Sequence, residues 1–159
     1  MSLPSFLQLP VADVKAWITT ERIGAESVLP LVADDRYGAA IIFLGTVRNH
    51  NEGRAVTGVL YEGYHEMAER TLRDIVSEAA ARIEPASIAV VHRLGELGIG
   101  EVSIAIAVAT PHRSQAFDAC RYVIEQVKLR LAVWKQERYR EGEREWLAGS
   151  MPPVPETAR

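Results

Sequence analysis

The stretch from Val102 to Ala109 constrains the fold of this chain more than any other. Val102, Ile104, Ile106 and Val108 alternate strictly with Ser103, Ala105, Ala107 and Ala109. A period of two is that of a β-strand, whose successive side chains point to opposite faces. Such a strand has one bulky face and one small face, and the small face suits a closely packed helix.

Strand and helix signals alternate around it. Trp17 to Ile23 reads as a short strand and Ala25 to Val32 as a short helix. Ala39 to Leu44 is a continuous apolar run, read as a buried strand that ends in Gly45-Thr46-Val47. Arg48 to Arg54 is polar and holds a turn at Asn51-Glu52-Gly53. Val56 to Tyr64 then reads as the hairpin partner of the first apolar strand. Ala68, Leu72, Ile75, Val76, Ala79 and Ile83 recur at helical spacing from Glu66 to Ile83, and Pro85 stops that helix. Ile88 to Arg93 is a strand and Gly95 to Gly100 a glycine-rich turn. After the Pro111-His112-Arg113 loop, Ser114 is the expected N-cap of a long amphipathic helix carrying Phe117, Cys120, Ile124, Val127 and Leu131. Short adjacent strands with a hairpin predict an α+β fold, a mostly antiparallel sheet packed with helices.

The 159 residues suit one domain, placed at 1–148 with a variable lead-in at 1–15. The tail at 149–159 carries Pro152, Pro153 and Pro155 and is expected to be disordered. A net charge of −3 provides no global basic field for nucleic acid or an anionic membrane, so any bound anion needs a local cationic cluster. The single cysteine, Cys120, excludes an intrachain disulfide. With no apolar run of membrane-spanning length and no targeting segment, a cytoplasmic protein is expected. His65 and His92 lack metal-ligand spacings, so neither metal nor cofactor is expected. Gly95-Glu96-Leu97-Gly98-Ile99-Gly100 leads into a strand rather than a helix, and so is not a dinucleotide loop.

Three clusters could carry chemistry. His112 and Arg113, at a strand end and a helix start, combine unpaired N–H groups with a guanidinium suited to phosphate; the plainer alternative is a solvated arginine beside a turn. Val47-Arg48-Asn49-His50-Asn51 is a polar loop directly after a strand, or only a hydrophilic connection. Lys128 borders the apolar stripe and Lys135 follows Trp134. Desolvated lysines there would serve acid–base or nucleophilic work; snorkelling lysines would only reach water.

Taken together these segments resemble the molybdopterin synthase large subunit, the MoaE family. The resemblance rests on Gly45-Thr46-Val47-Arg48-Asn49-His50-Asn51, Leu60-Tyr61-Glu62-Gly63-Tyr64 with Met67, and His92-Arg93-Leu94-Gly95-Glu96-Leu97. It continues through Gly100-Glu101, His112-Arg113-Ser114, Lys128 and Trp134-Lys135-Gln136-Glu137. It implies an α/β hammerhead-like fold and a homodimer within a 2:2 heterotetramer. The partner is a small ubiquitin-like sulfur carrier ending in a Gly-Gly thiocarboxylate, and the substrate is cyclic pyranopterin monophosphate. The implied activity is sulfur transfer that builds the dithiolene of the molybdenum cofactor. Lys128 and Lys135 match the catalytic lysines, and Arg48, His112 and Arg113 the substrate-binding positions. Thr46, Val47, Gln136 and Glu137 flank them in matching motifs. The family commonly has proline where this chain has Ala132, so a more helical link from Lys128 to Lys135 is expected. The rivals are an adapter that only docks a ubiquitin-like protein and an acyltransferase acting on a coenzyme A ester. Ser114 and Lys128 lie about 21 Å apart along one helix, so an active site shared between two subunits is expected.

Overall fold

The computed structural model describes residues 14–147. The expected Pro-rich tail and residues 1–13 of the expected lead-in lie outside them.

Two sheets build the molecule. The first has the order β1-β5-β7-β2, formed by β1 (Val14–Thr19), β5 (Ser87–Arg93), β7 (Val102–Thr110) and β2 (Ala39–Thr46). Only β1 and β5 run parallel; the other two ladders are antiparallel. The two faces of β7 hold the layers apart as their side chains require. Ile104, Ile106 and Val108 share a core with Leu72, Ile75 and Val76 of α2 (His65–Arg82) and with Ala116, Ala119 and Val123 of α3 (Arg113–Arg130). Ala105, Ala107 and Ala109 lie against Val28 and Val32 of α1 (Ala25–Val32), where the missing bulk lets the short helix sit close.

The second sheet centres on β4 (Arg54–Gly63). β3 (His50–Asn51) and β6 (Gly95–Gly98) pair with β4, as does β8 (Val133–Tyr139), and β9 (Arg144–Trp146) adds outside β8. Its small core is Val47, Val56, Val59, Leu97 and Tyr139. The whole is the expected α+β architecture, mostly antiparallel and packed with helices.

Several expectations differ from this arrangement. The strand at Ala39 is not the hairpin partner of the strand at Val56: β2 pairs with β7 and β4 with β8. The chain passes from one sheet to the other after a register shift at Gly45/Thr46. The turn signal instead closes β3 on β4, with Asn51 opposite Arg54 and positive φ at both Glu52 and Gly53. Those are the dihedral signs of a two-residue hairpin loop. β2 is an edge strand with half-buried and exposed residues, not a fully buried one. Gly95–Gly98 is a strand rather than part of a turn, because Leu97 is buried in the second core.

Helix α3 also departs in detail. His112, in extended conformation, is its N-cap, and Ser114 falls inside the helix. The buried stripe runs through Ala116, Ala119, Cys120, Val123 and Val127, leaving Phe117 61% exposed. Small residues there allow close approach to the sheet, and this outweighs burial of one aromatic ring. Ala132 does not lengthen the helix: α3 stops at Arg130 and Lys135 lies on a strand. The ladder from β8 to β4 wins, and Gly63 permits it, since a Cβ there would lie 2.7 Å from the Ala132 carbonyl oxygen.

Ala107→Leu should test the small face. The added bulk has no room between β7 and α1, so the variant should lose about 1–3 kcal/mol of stability by chemical denaturation. An unchanged unfolding midpoint would show that α1 is not closely packed there.

Candidate active site

Where the two sheets meet, a cavity of about 120 Å³ is lined from five elements. Tyr61 comes from β4, His92 from β5 and Ser103 from β7. Val127 and Lys128 come from the last turns of α3, and Lys135 from β8. The backbone explains this convergence. β7 leads into α3 through a short loop, and α3 runs back along β7, returning its C-terminal end to the strand's beginning. β8 then starts two residues after the helix cap, and its ladder sets Lys135 directly opposite Tyr61. Directly paired residues share a face of the sheet.

The electrostatics are those of a partly dried cationic pocket. Burial holds the Lys135 ammonium below the ordinary lysine pKa; the Lys128 and Arg48 charges push the same way, and Glu137 opposes them. Lys135 Nζ lies 3.7 Å from Glu137 Oε1. Glu137 is 4% exposed, and its other oxygen accepts a hydrogen bond from Asn51 Nδ2 at 3.1 Å. That bond ties the loop carrying Arg48 to β8. Lys128 forms no ion pair with a carboxylate among the described residues.

The cavity wall is polar as well as charged. His92 is 6% exposed, and burial lowers its pKa to about 4, so the imidazole is neutral. Its Nδ1 lies 2.9 Å from the Arg93 carbonyl oxygen, which can only accept, so Nδ1 carries the proton. The ring meets Tyr61 edge-on at 5.2 Å. Burial raises the Tyr61 pKa, with Ser103 opposing it, and Ser103 Oγ donates to the Gly45 carbonyl oxygen at 3.2 Å.

The sequence candidates therefore separate. Lys128 and Lys135 line one cavity, with Glu137 and the Arg48 charge beside them. Thr46 is exposed at the end of β2. Val47 belongs to the second core instead: its side chain is buried, its N–H donates to Glu101 and its carbonyl accepts from Gly100. Gln136 alternates with Lys135 and Glu137 along β8, so it projects from the opposite face. His112 and Arg113 are exposed at the far end of α3. Fifteen residues of helix separate Arg113 from Lys128, about 22 Å. Sequence reasoning missed Tyr61, His92 and Ser103 as members of the site, whereas Asn51 lay in the polar loop it had singled out. Tyr61 and His92 stood inside the motifs that carry the family resemblance, which was the available signal. Among the described residues no cluster of His, Cys, Asp or Glu is suited to holding a metal ion.

The family model described as "MoaE protein" matches residues 18–130. A molybdopterin synthase catalytic subunit of Thermoplasma volcanium is 40% identical over 129 residues, covering 81% of this chain and 94% of that one. Molybdopterin synthase catalytic subunit 1 of Mycobacterium tuberculosis is 40% identical over 120 residues, covering 76% of this chain and 82% of that one. Among solved structures, molybdopterin synthase from Staphylococcus aureus superposes with a TM-score of 0.80 at 32% identity, covering 84% of this chain and 96% of that one. A fold, a lysine-lined cavity and a family match spanning most of the chain coincide, and this chain belongs to the MoaE family.

Proposed function

We propose that this chain is the catalytic subunit of a molybdopterin synthase, and that sulfur passes to cyclic pyranopterin monophosphate in the Lys128/Lys135 cavity. The donor is the C-terminal thiocarboxylate of a small ubiquitin-like carrier. The observation that carries this reading is the convergence of two lysines from different elements on one cavity, in a chain whose net charge is −3. Thiocarboxylate, substrate phosphate and released carboxylate are all anions, and a local cationic site is what an acidic protein needs to handle them.

The two lysines have different surroundings, and so different roles. Lys128 has no carboxylate partner among the described residues, leaving its charge available to the thiocarboxylate and to the tetrahedral centre formed as sulfur leaves the carrier. Lys135 is partly desolvated beside Glu137, which suits exchange of a proton as oxygen leaves the pterin side chain. Arg48 adds charge from the loop, with Thr46 at its base. Glu137 holds Lys135 and Asn51 rather than touching substrate.

His112 and Arg113 fit the same reaction if the active site is shared in a homodimer, within a 2:2 assembly with the carrier. Two observations support a second copy. The anion-suited end of α3 lies about 22 Å from Lys128, longer than the substrate. In addition, the β2 edge is unpaired among the described residues, with Leu44 exposed on it, and Phe117 is exposed on α3. The buried free thiol of Cys120 is in keeping with a reducing cytoplasm.

Lys128→Ala and Lys135→Ala should each lower turnover about 10²-fold or more in a reconstitution with thiocarboxylated carrier and cyclic pyranopterin monophosphate, while the fold persists. Lys135→Arg should not rescue, because a guanidinium gives up no proton near neutral pH. Near-normal turnover by that variant would end the proton-transfer role, and indifference to both lysines would favour a docking adapter. Glu137→Gln bears on the same proton. Glu137 raises the Lys135 pKa, so its loss should move the alkaline limb of the pH–rate profile to lower pH; a shift upward would contradict the assignment. Site sharing is tested by mixing Arg113→Ala and Lys128→Ala chains under subunit exchange. Each mixed dimer then has one intact composite site, and random mixing should restore roughly a quarter of wild-type sites. Verified mixed dimers no more active than either parent would place each site within one chain.

A further inference from the structure

We propose that His92 is a positioning residue for Lys128, its neutral imidazole offering Nε2 to the cavity as an uncharged acceptor that orients the ammonium toward the bound anion. The inference rests on the reading of this cavity as the sulfur-transfer site.

The geometry leaves Nε2 that role. Nδ1–H is committed to the Arg93 carbonyl, which fixes the tautomer and the ring's orientation at the end of β5. Nε2 is therefore the lone-pair nitrogen. It makes no hydrogen bond within the described residues, yet it is not among the sealed polar atoms, and His92 lines the cavity. The free nitrogen thus opens onto the space that Lys128 also lines. The Lys128 charge reaches the ring and, with burial, keeps it unprotonated. Tyr61 packs edge-on against the imidazole, so the ring has little freedom to turn away.

The choice of acceptor has a physical consequence. A carboxylate could orient Lys128 equally well, but would compete with the thiocarboxylate for its charge. A neutral imidazole accepts one hydrogen bond from the ammonium and leaves the net charge intact for the incoming anion. Lys135 shows the opposite arrangement, with Glu137 at 3.7 Å. One lysine has an uncharged neighbour and the other a carboxylate.

The test begins with the full chain labelled with ¹⁵N-histidine. Long-range ¹H–¹⁵N spectra at pH 7, with His92 assigned by its loss in His92→Gln, should show a neutral ring protonated at Nδ1. Lys128→Met should then shift the Nε2 resonance. In the reconstituted complex His92→Phe, which keeps the ring's bulk but has no acceptor, should lower turnover about tenfold or more. His92→Gln places an amide oxygen near the Nε2 position and should recover most of that loss. An Nε2 resonance indifferent to Lys128→Met overturns the proposal, as does full activity in His92→Phe. So does a folded His92→Gln as slow as the phenylalanine variant. If the wild-type complex itself transfers no sulfur, the functional reading fails, while the spectra still decide whether His92 contacts Lys128.

Discussion

Burial of β7 between unlike layers is the constraint on which the rest of this structure depends. Its alanine face admits α1 and its branched face meets α2 and α3, so one strand fixes the spacing of both layers. The same strand leads into α3 at one end and receives the end of α3 at the other. Lys128 reaches the cavity because α3 is about as long as β7 needs for the return, and because Gly63 lets β8 begin immediately after it. The site is thus a consequence of layer packing, built on helix and strand rather than on a mobile loop.

The pocket concentrates positive charge in a protein that is acidic overall. Such charge is costly to gather without water, and the structure offsets the cost unequally. Glu137 is buried among Asn51 and Lys135, so a carboxylate compensates the deeper lysine. Lys128 stands nearer to solvent beside a neutral imidazole. Two lysines of one sequence type thereby have different neighbours, a carboxylate beside Lys135 and a neutral imidazole near Lys128.

The two ends of α3 divide the chemistry in space. Its C-terminal end carries Lys128 at the cavity, and its N-terminal end has the unpaired N–H groups and guanidinium suited to a phosphate. A rigid helix with no proline or glycine inside it does not bring its own ends together. Leu44 and Phe117 are exposed, and the edge of β2 is unpaired among the described residues.

Periodicity determined the α2 helix and the two faces of β7, because local spacing records which face of an element is buried. Motif order determined the lysine pair and Arg48. Tertiary structure decided what local spacing does not encode. Strand partners lie far apart in the chain, so the hairpin reading of β2 and β4 gave way to ladders with β7 and β8. Face along a strand separated Glu137, inside the site, from Gln136, outside it, although they are neighbours in sequence. Val47 was drawn into the second core by packing, and His92, unremarkable by spacing, became part of the cavity because its strand ends where two sheets meet. Charge type is written residue by residue; desolvation and neighbouring charge, which turn a lysine into a catalyst, arise only when distant segments close around it.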